Sequence, residues 1–334
     1  MSVNVGLYLT NQFQPGGDAA AALAGQLAMV AEARAGGWDA IFAGHHYLGE
    51  ELAHFQPLPM LARVAAEADG MAIGTGIWLL ALHNPVDTAE AMATLDVITG
   101  GRLIFGVGLG YRDVEYAAFG IGKRRIGRFE ENLAIIRRLW AGETVAADLP
   151  WCRLTGAQLS LRPMQTPRPP IWMAANSDSA VQRAARIADA WMINPHATLE
   201  TITRQLGLYR AAHTEAGGSA PAALPLMREI FCGPDRDMAL RRAAPFLAAK
   251  YQTYAAWGQD KVMPERDAFD AAYADLADQR FIVGSPADCL AALRPWLDLG
   301  VTDLVLRTHW AGMPTEHALE SIRLLSSEVL PALP

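Results

Sequence analysis

Two adjacent histidines, His45 and His46, follow the apolar run Ala40–Ala43. A neutral imidazole at the mouth of an apolar cavity can act as an acid or base near pH 7, bind a metal, or simply pack. If the strand continued through both residues, one ring would face inward and the other outward. That makes them poor joint metal ligands, and the spacings His-x-His and His-Glu-x-x-His are absent. A metal gathered from distant loops by His45, His83, His196 and His309 stays open, as does one packed and one exposed ring.

The stretch "ANSDSAVQRAARIADAW" offers a second kind of chemistry. It reads as a strand end, a turn and a helix start capped by Ser177 or Asp178. Free amide groups near Ser179 and Ala180, with the Ser177 hydroxyl, can hold a phosphate. An ordinary cap is the commoner use of such a segment, and the Asp178 charge would repel an anion unless it turns away. Glycines recur in "FGVGLGYRD" at Gly106, Gly108 and Gly110, without the spacing of a dinucleotide fingerprint. They admit either a flat ring against the backbone or a tightly packed neighbour, and "IGTGIW" poses the same choice. Arg228 is a lone charge in a strand, either an anion contact or an exposed end. Glu90, Asp96 and Arg102 read as structural, with Asp96 and Arg102 able to pair.

These residues need a scaffold that brings distant strand ends together. Strand patterns occur at residues 3–9, 40–43, 71–79, 103–107, 170–174, 190–193, 224–231 and 303–306, with helical periodicity between them. One helix opens at an Asp18 cap and stops at Gly36-Gly37. Eight strands each followed by a helix predict a (β/α)8 TIM-type barrel of one domain over residues 1–334; an open doubly wound sheet is the alternative. Residues 143–162 predict a small hairpin insertion, and 258–280 a long lid loop. In a barrel the chemistry lies on the loops after the strands, where Trp78, Trp191, Asn194, His196, Arg307, His309 and Trp310 also fall.

The 334 residues are 51% hydrophobic with a net charge of −7, enough for a large core and ill suited to nucleic acid or an anionic membrane as partner. The start, "MSVNVGLYLTNQ", lacks a charged leader, and no apolar run reaches the roughly 18 residues that span a bilayer. Three scattered cysteines fit a cytoplasmic setting better than a disulfide framework.

With these motifs in order, the chain resembles the bacterial luciferase-like flavin monooxygenases. The resemblance is carried by "GHHYLGEE", the run from Ile73 to Ile121, "RFEENLAIIRRLW", "PPIWMAANSDSAVQRAARIADAW" and "IVGSPADCLAALRPWLDLGVTDLVLR". It implies a barrel with FMN over its mouth, reduced by a separate reductase and reacting with oxygen through a flavin hydroperoxide. It also implies His45 as acid/base, His46 beside it, and Gly76-Ile77 as a cis peptide against the ring. Asn176, Ser177, Ser179 and Ala180 would surround the phosphate, with Gly108, Leu109, Gly110 and Trp191 completing the cofactor site. Leu109 stands where luciferases carry a phosphate-binding arginine, and Arg112 is the expected substitute. Trp78, Arg228, Arg307 and Trp310 are expected around the substrate, with Trp78, Trp191 and Trp310 as a water-excluding wall. A homodimer is expected. A deazaflavin-dependent oxidoreductase on the same fold, a metal-dependent hydrolase and a non-catalytic flavin binder are the alternatives.

Overall fold

The computed structural model describes residues 3–218, 221–264, 269, 276–277 and 280–334. The barrel strands are β1 (Asn4–Leu9), β2 (Ala40–Ala43), β3 (Ala72–Thr75), β4 (Leu103–Gly108), β5 (Ile171–Ala174), β6 (Ala190–Met192), β7 (Pro225–Cys232) and β8 (Asp303–Arg307). All pairs between them are parallel, in the order β6-β5-β4-β3-β2-β1-β8-β7. A backbone bridge between Ile193 and Leu226 joins the two ends and closes the ring. These strands fall on the eight expected positions. A further strand, Phe281–Gly284, pairs with Glu229–Cys232 of β7 and was not expected.

The surrounding helices are α1 (Ala19–Ala35), α2 (Pro57–Ala65), α3 (Pro85–Ile98), α4 (Arg125–Trp140), α5 (Asp178–Ile187), α6 (Leu199–Glu215), α7 (Arg236–Ala256), α8 (Pro286–Leu297) and α9 (Thr315–Leu324). The Asp18 carboxylate accepts from the amides of Ala20 and Ala21, so α1 starts at its cap. Val145–Leu149 and Cys152–Ala157 form the expected antiparallel hairpin. Most of 258–280, expected as a lid, lies outside the described residues.

Strand alternation sorts the core. Tyr8, Phe42, Trp172, Met192, Met227 and Val305 fill the ring, with Phe42 stacked on Trp172. The alternate residues, such as Leu7, Ile41, Ile73 and Leu304, pack against the helices. Two glycines of the questioned motifs are explained here. A Cβ on Gly74 would lie 2.2 Å from the Phe42 ring, and one on Gly106 would lie 1.8 Å from the Thr75 carbonyl oxygen. Both glycines let neighbouring groups pack. Asp96 is structural too, but its partners are the amides of Leu103, Met164 and Gln165 and the Gln165 side chain, while Arg102 donates to Met71.

Candidate active site

The C-terminal ends of the strands surround a cavity of about 260 Å³. Its wall includes His45, His46, Gly76, Ile77, Gly108, Leu109, Gly110, Asn176, Ser177, Ala180 and Arg307. The ring therefore brings together the histidines, the glycines and the helix start that lie far apart in sequence.

β2 ends at Ala43, so strand alternation does not reach the histidines, and both line the cavity rather than facing opposite ways. Their surroundings differ. His45 is buried, and both of its nitrogens are engaged: Nδ1 accepts from the Leu79 amide at 3.4 Å, and Nε2 donates to Gln56 Oε1 at 3.1 Å. Gln56 donates in turn to the His46 carbonyl, which sets its orientation. Burial first, and then the nearby His83 and His46, hold the His45 imidazole well below its ordinary pKa, so it is neutral. It stacks among Tyr47, Trp78 and His83.

His46 is held by a buried carboxylate. Its Nδ1 donates to Glu115 Oε1 at 2.9 Å, and the same oxygen accepts from the Tyr47 amide at 2.8 Å. Glu115 is buried, so the carboxylate holds the Nδ1–H tautomer and leaves Nε2 as the basic nitrogen. The ring meets Tyr111, Tyr254 and Trp257 at steep angles.

The start of α5 lies at the cavity wall. Ser177 caps it, accepting from the Ala180 amide, and Ser179 Oγ lies 3.3 Å from Ser177 Oγ. Asp178 is turned away: Arg204 donates to both of its oxygens at 2.6 and 2.8 Å, and Gln205 donates at 2.9 Å. These bonds hold the carboxyl below its usual range. Arg183, which sequence reasoning missed, also lines the cavity, one helical turn after Ala180.

Several expected residues do not reach the cavity. Trp191 is fully buried against Tyr209 and donates to the Ala175 carbonyl. Trp78 stacks behind the wall on His83 and His45. Trp310 donates to Glu229 from within the core. Arg228 sits on the outward phase of β7, with its guanidinium 3.5 Å from the Trp296 ring and bonded to the carbonyls of Asn194 and Met227. Arg112 stacks on Trp257 and binds the carbonyls of Tyr47 and Leu48, so it does not replace the arginine expected at Leu109. The aromatic wall consists instead of Tyr8, Tyr111 and Tyr254.

Five polar atoms of wall residues are buried without a hydrogen-bond partner among the described residues: Tyr111 Oη, His54 Nδ1, Asn194 Nδ2, and Arg307 Nε and Nη1. A wall of this kind suits a bound group with both polar edges and flat faces. The Gly76-Ile77 peptide is cis, as the resemblance implies. Among the described residues no three His, Cys, Asp or Glu side chains are placed to hold a metal. No helix among them is long and apolar enough to cross a membrane.

Comparison with known proteins bears on the fold and the family. The chain is 33% identical over 190 residues to phthiodiolone/phenolphthiodiolone dimycocerosates ketoreductase of Mycobacterium tuberculosis, covering 55% of this chain and 50% of that protein. The chain thus spans about half the length of the curated relatives it matches first. Among solved structures, monooxygenase RslO1 from Streptomyces bottropensis superposes with a TM-score of 0.85 at 24% identity, covering 98% and 99% of the two chains. The oxygenating constituent of 3,6-diketocamphane monooxygenase of Pseudomonas putida, in complex with FMN, gives 0.81 at 19% identity, covering 100% and 99%. The coenzyme F420-dependent tetrahydromethanopterin reductase of Methanopyrus kandleri gives 0.76 at 19%, covering 100% of each. These likenesses establish the fold. The luciferase-like monooxygenase family itself matches residues 3–303, and the chain belongs to it.

Proposed function

We propose that the protein is a flavin-dependent monooxygenase that uses reduced FMN and molecular oxygen to oxygenate a small organic substrate. One observation carries the reading: a single cavity has a tautomer-locked imidazole, His46 backed by Glu115, and an anion-receptive helix start at Ser177–Ala180. The amides at the start of α5, the Ser177 hydroxyl and Arg183 would hold the phosphate. Gly76, Ile77, Gly108 and Gly110 would lie against the ring, with Leu109 beside them. When bound, the reduced flavin supplies the electrons that activate oxygen.

The chain's own work is positioning, proton handling and exclusion of water. His46 takes or returns a proton at Nε2, and Glu115 steadies the ring through either state. His45, neutral and doubly bonded, positions the 44–47 turn and the start of α2 through Gln56. Tyr8, Ile77, Leu79, Met173 and Tyr254 give the cavity an apolar wall that keeps water from the reacting atoms. A separate reductase would supply the reduced flavin, and a homodimer is part of the proposal.

A deazaflavin-dependent oxidoreductase is the second reading, and one observation favours it. With Leu109 at the usual arginine position and Arg112 bound elsewhere, the phosphate end keeps one arginine, Arg183. A singly charged phosphodiester, as in a deazaflavin coenzyme, needs less countercharge than the FMN monoester. Fluorescence titrations with FMN and with the deazaflavin coenzyme separate the two. Binding of FMN, with oxygen-dependent product formation when NADH and a flavin reductase are added, supports the monooxygenase. Binding of the deazaflavin alone overturns it.

A further inference from the structure

Resting on the flavin-site reading above, we propose that the same cavity has a second anion subsite, made by Arg307 and Lys250, and that it binds a carboxylate of the substrate. The cluster follows from strand phase. β7 turns Met227 and Glu229 into the ring and Arg228 out of it, and Glu229 pairs in register with Arg307 of β8. Lys250 reaches the cluster from α7.

The charges here do not balance. Glu229 is fully buried; its Oε2 accepts from Trp310 Nε1 at 2.6 Å and its Oε1 accepts from the Lys250 ammonium. Each oxygen therefore already has a donor. Arg307 Nη1 lies 3.9 Å from Oε1, too far for a hydrogen bond, and Nε and Nη1 are buried with no acceptor. The Arg307 guanidinium sits 4.3 Å over the Tyr8 ring, beside Tyr254. One carboxylate thus faces two cations, and among the described residues no Asp or Glu lines the cavity. The third cation of the wall, Arg183, is answered by Glu130 at 2.7 Å and belongs to the helix start after β5, three strands round the ring from β8. The neighbouring His54 and His196 are held neutral by burial and add no negative charge.

Two buried guanidinium N–H groups without an acceptor are costly, and one singly charged acceptor removes the cost. A carboxylate matches the guanidinium in charge and in the planar fork of its oxygens. Lys250 feels the same surplus: burial and the Arg307 charge push it down to about 7 despite Glu229. A carboxylate between the two cations would restore the balance and orient the rest of the substrate toward His46.

The test compares 2-naphthoate with its uncharged counterpart 2-naphthamide, titrated by calorimetry into the full chain with and without FMN. The expected result is naphthoate binding at least about tenfold tighter, as charge-assisted hydrogen bonds require. Arg307→Gln and Lys250→Met should each remove most of that preference, and Arg307→Lys should retain part of it, while flavin affinity is unchanged. Equal binding of the two probes, no binding of naphthoate, or a preference intact in both variants overturns the subsite. The wild-type comparison stands even if a variant fails to fold. Carboxylate preference without any flavin binding would sink the proposed function and leave the subsite; flavin binding without carboxylate preference would do the reverse.

Discussion

Acidification should destabilise this protein well before its carboxylates titrate. His54 is pushed down to about 3, and His83 and His309 to about 4, with burial the first cause in each case. His45 and His196 are lowered in the same way. Unfolded histidine titrates near pH ~6.5. Below that value the unfolded chain binds protons that the native rings refuse, so stability is complete above pH ~6.5 and falls as pH drops toward the native pKa values. Each such ring contributes a slope of about 1.4 kcal/mol per pH unit. Between pH 6.5 and 5, the three rings with stated values sum to about 5 kcal/mol, comparable with the ~5–15 kcal/mol that holds a typical native domain together. Asp178, Asp189 and Glu229 are held below their ordinary values, so their loss belongs to lower pH. Lys250, at about 7 when folded, acts only above neutrality. Urea unfolding followed by fluorescence and circular dichroism from pH 7.5 to 5 should show the midpoint falling steadily. His309→Gln, which can still donate to the Met313 carbonyl, should remove about one proton's worth of slope. Stability that stays level or rises on going from pH 6.5 to 5 would refute the reasoning.

The two adjacent histidines should separate by assay. His46→Asn should lower kcat by about 10²–10⁴-fold with flavin affinity within a few-fold; unchanged turnover removes it from proton transfer. His45→Ala should lower the unfolding midpoint first, because it empties a stacked and doubly bonded position; an unchanged Tm would contradict that role. Arg204→Ala leaves Asp178 uncompensated beside the phosphate end and should weaken FMN binding several-fold, more at low salt; a salt-independent affinity would argue against an anion there. Gly106→Ala should destabilise the fold strongly, as its Cβ would lie 1.8 Å from the Thr75 carbonyl oxygen; a wild-type unfolding curve would show that the strands can part cheaply.

Much of the scaffold was legible because it is written locally. Apolar runs alternating with 3.6-residue periodicity placed all eight ring strands, and the Asp18 and Ser177 caps are properties of a few consecutive residues. The Ser177-capped helix start was readable for the same reason. Glu115, Gln56, Lys250 and Glu229 were not: each meets its partner at long range, as Glu115 meets His46 from 69 residues away, and no periodic pattern encodes such a pairing.

Phase was the other limit. A strand pattern says that Arg228 and Glu229 face opposite ways but not which of them enters the ring; register against β8 and closure of the sheet decide that. Where a strand stops is equally non-local, and the end of β2 at Ala43 turned two expected opposite faces into one wall. The tryptophans went astray because a large apolar ring near a strand end satisfies the core and a pocket equally well. The sequence by itself therefore determined the elements, their order and the chemical types available at their ends. Only the closed ring decided which of those groups share a cavity, since that depends on contacts between residues far apart in the chain.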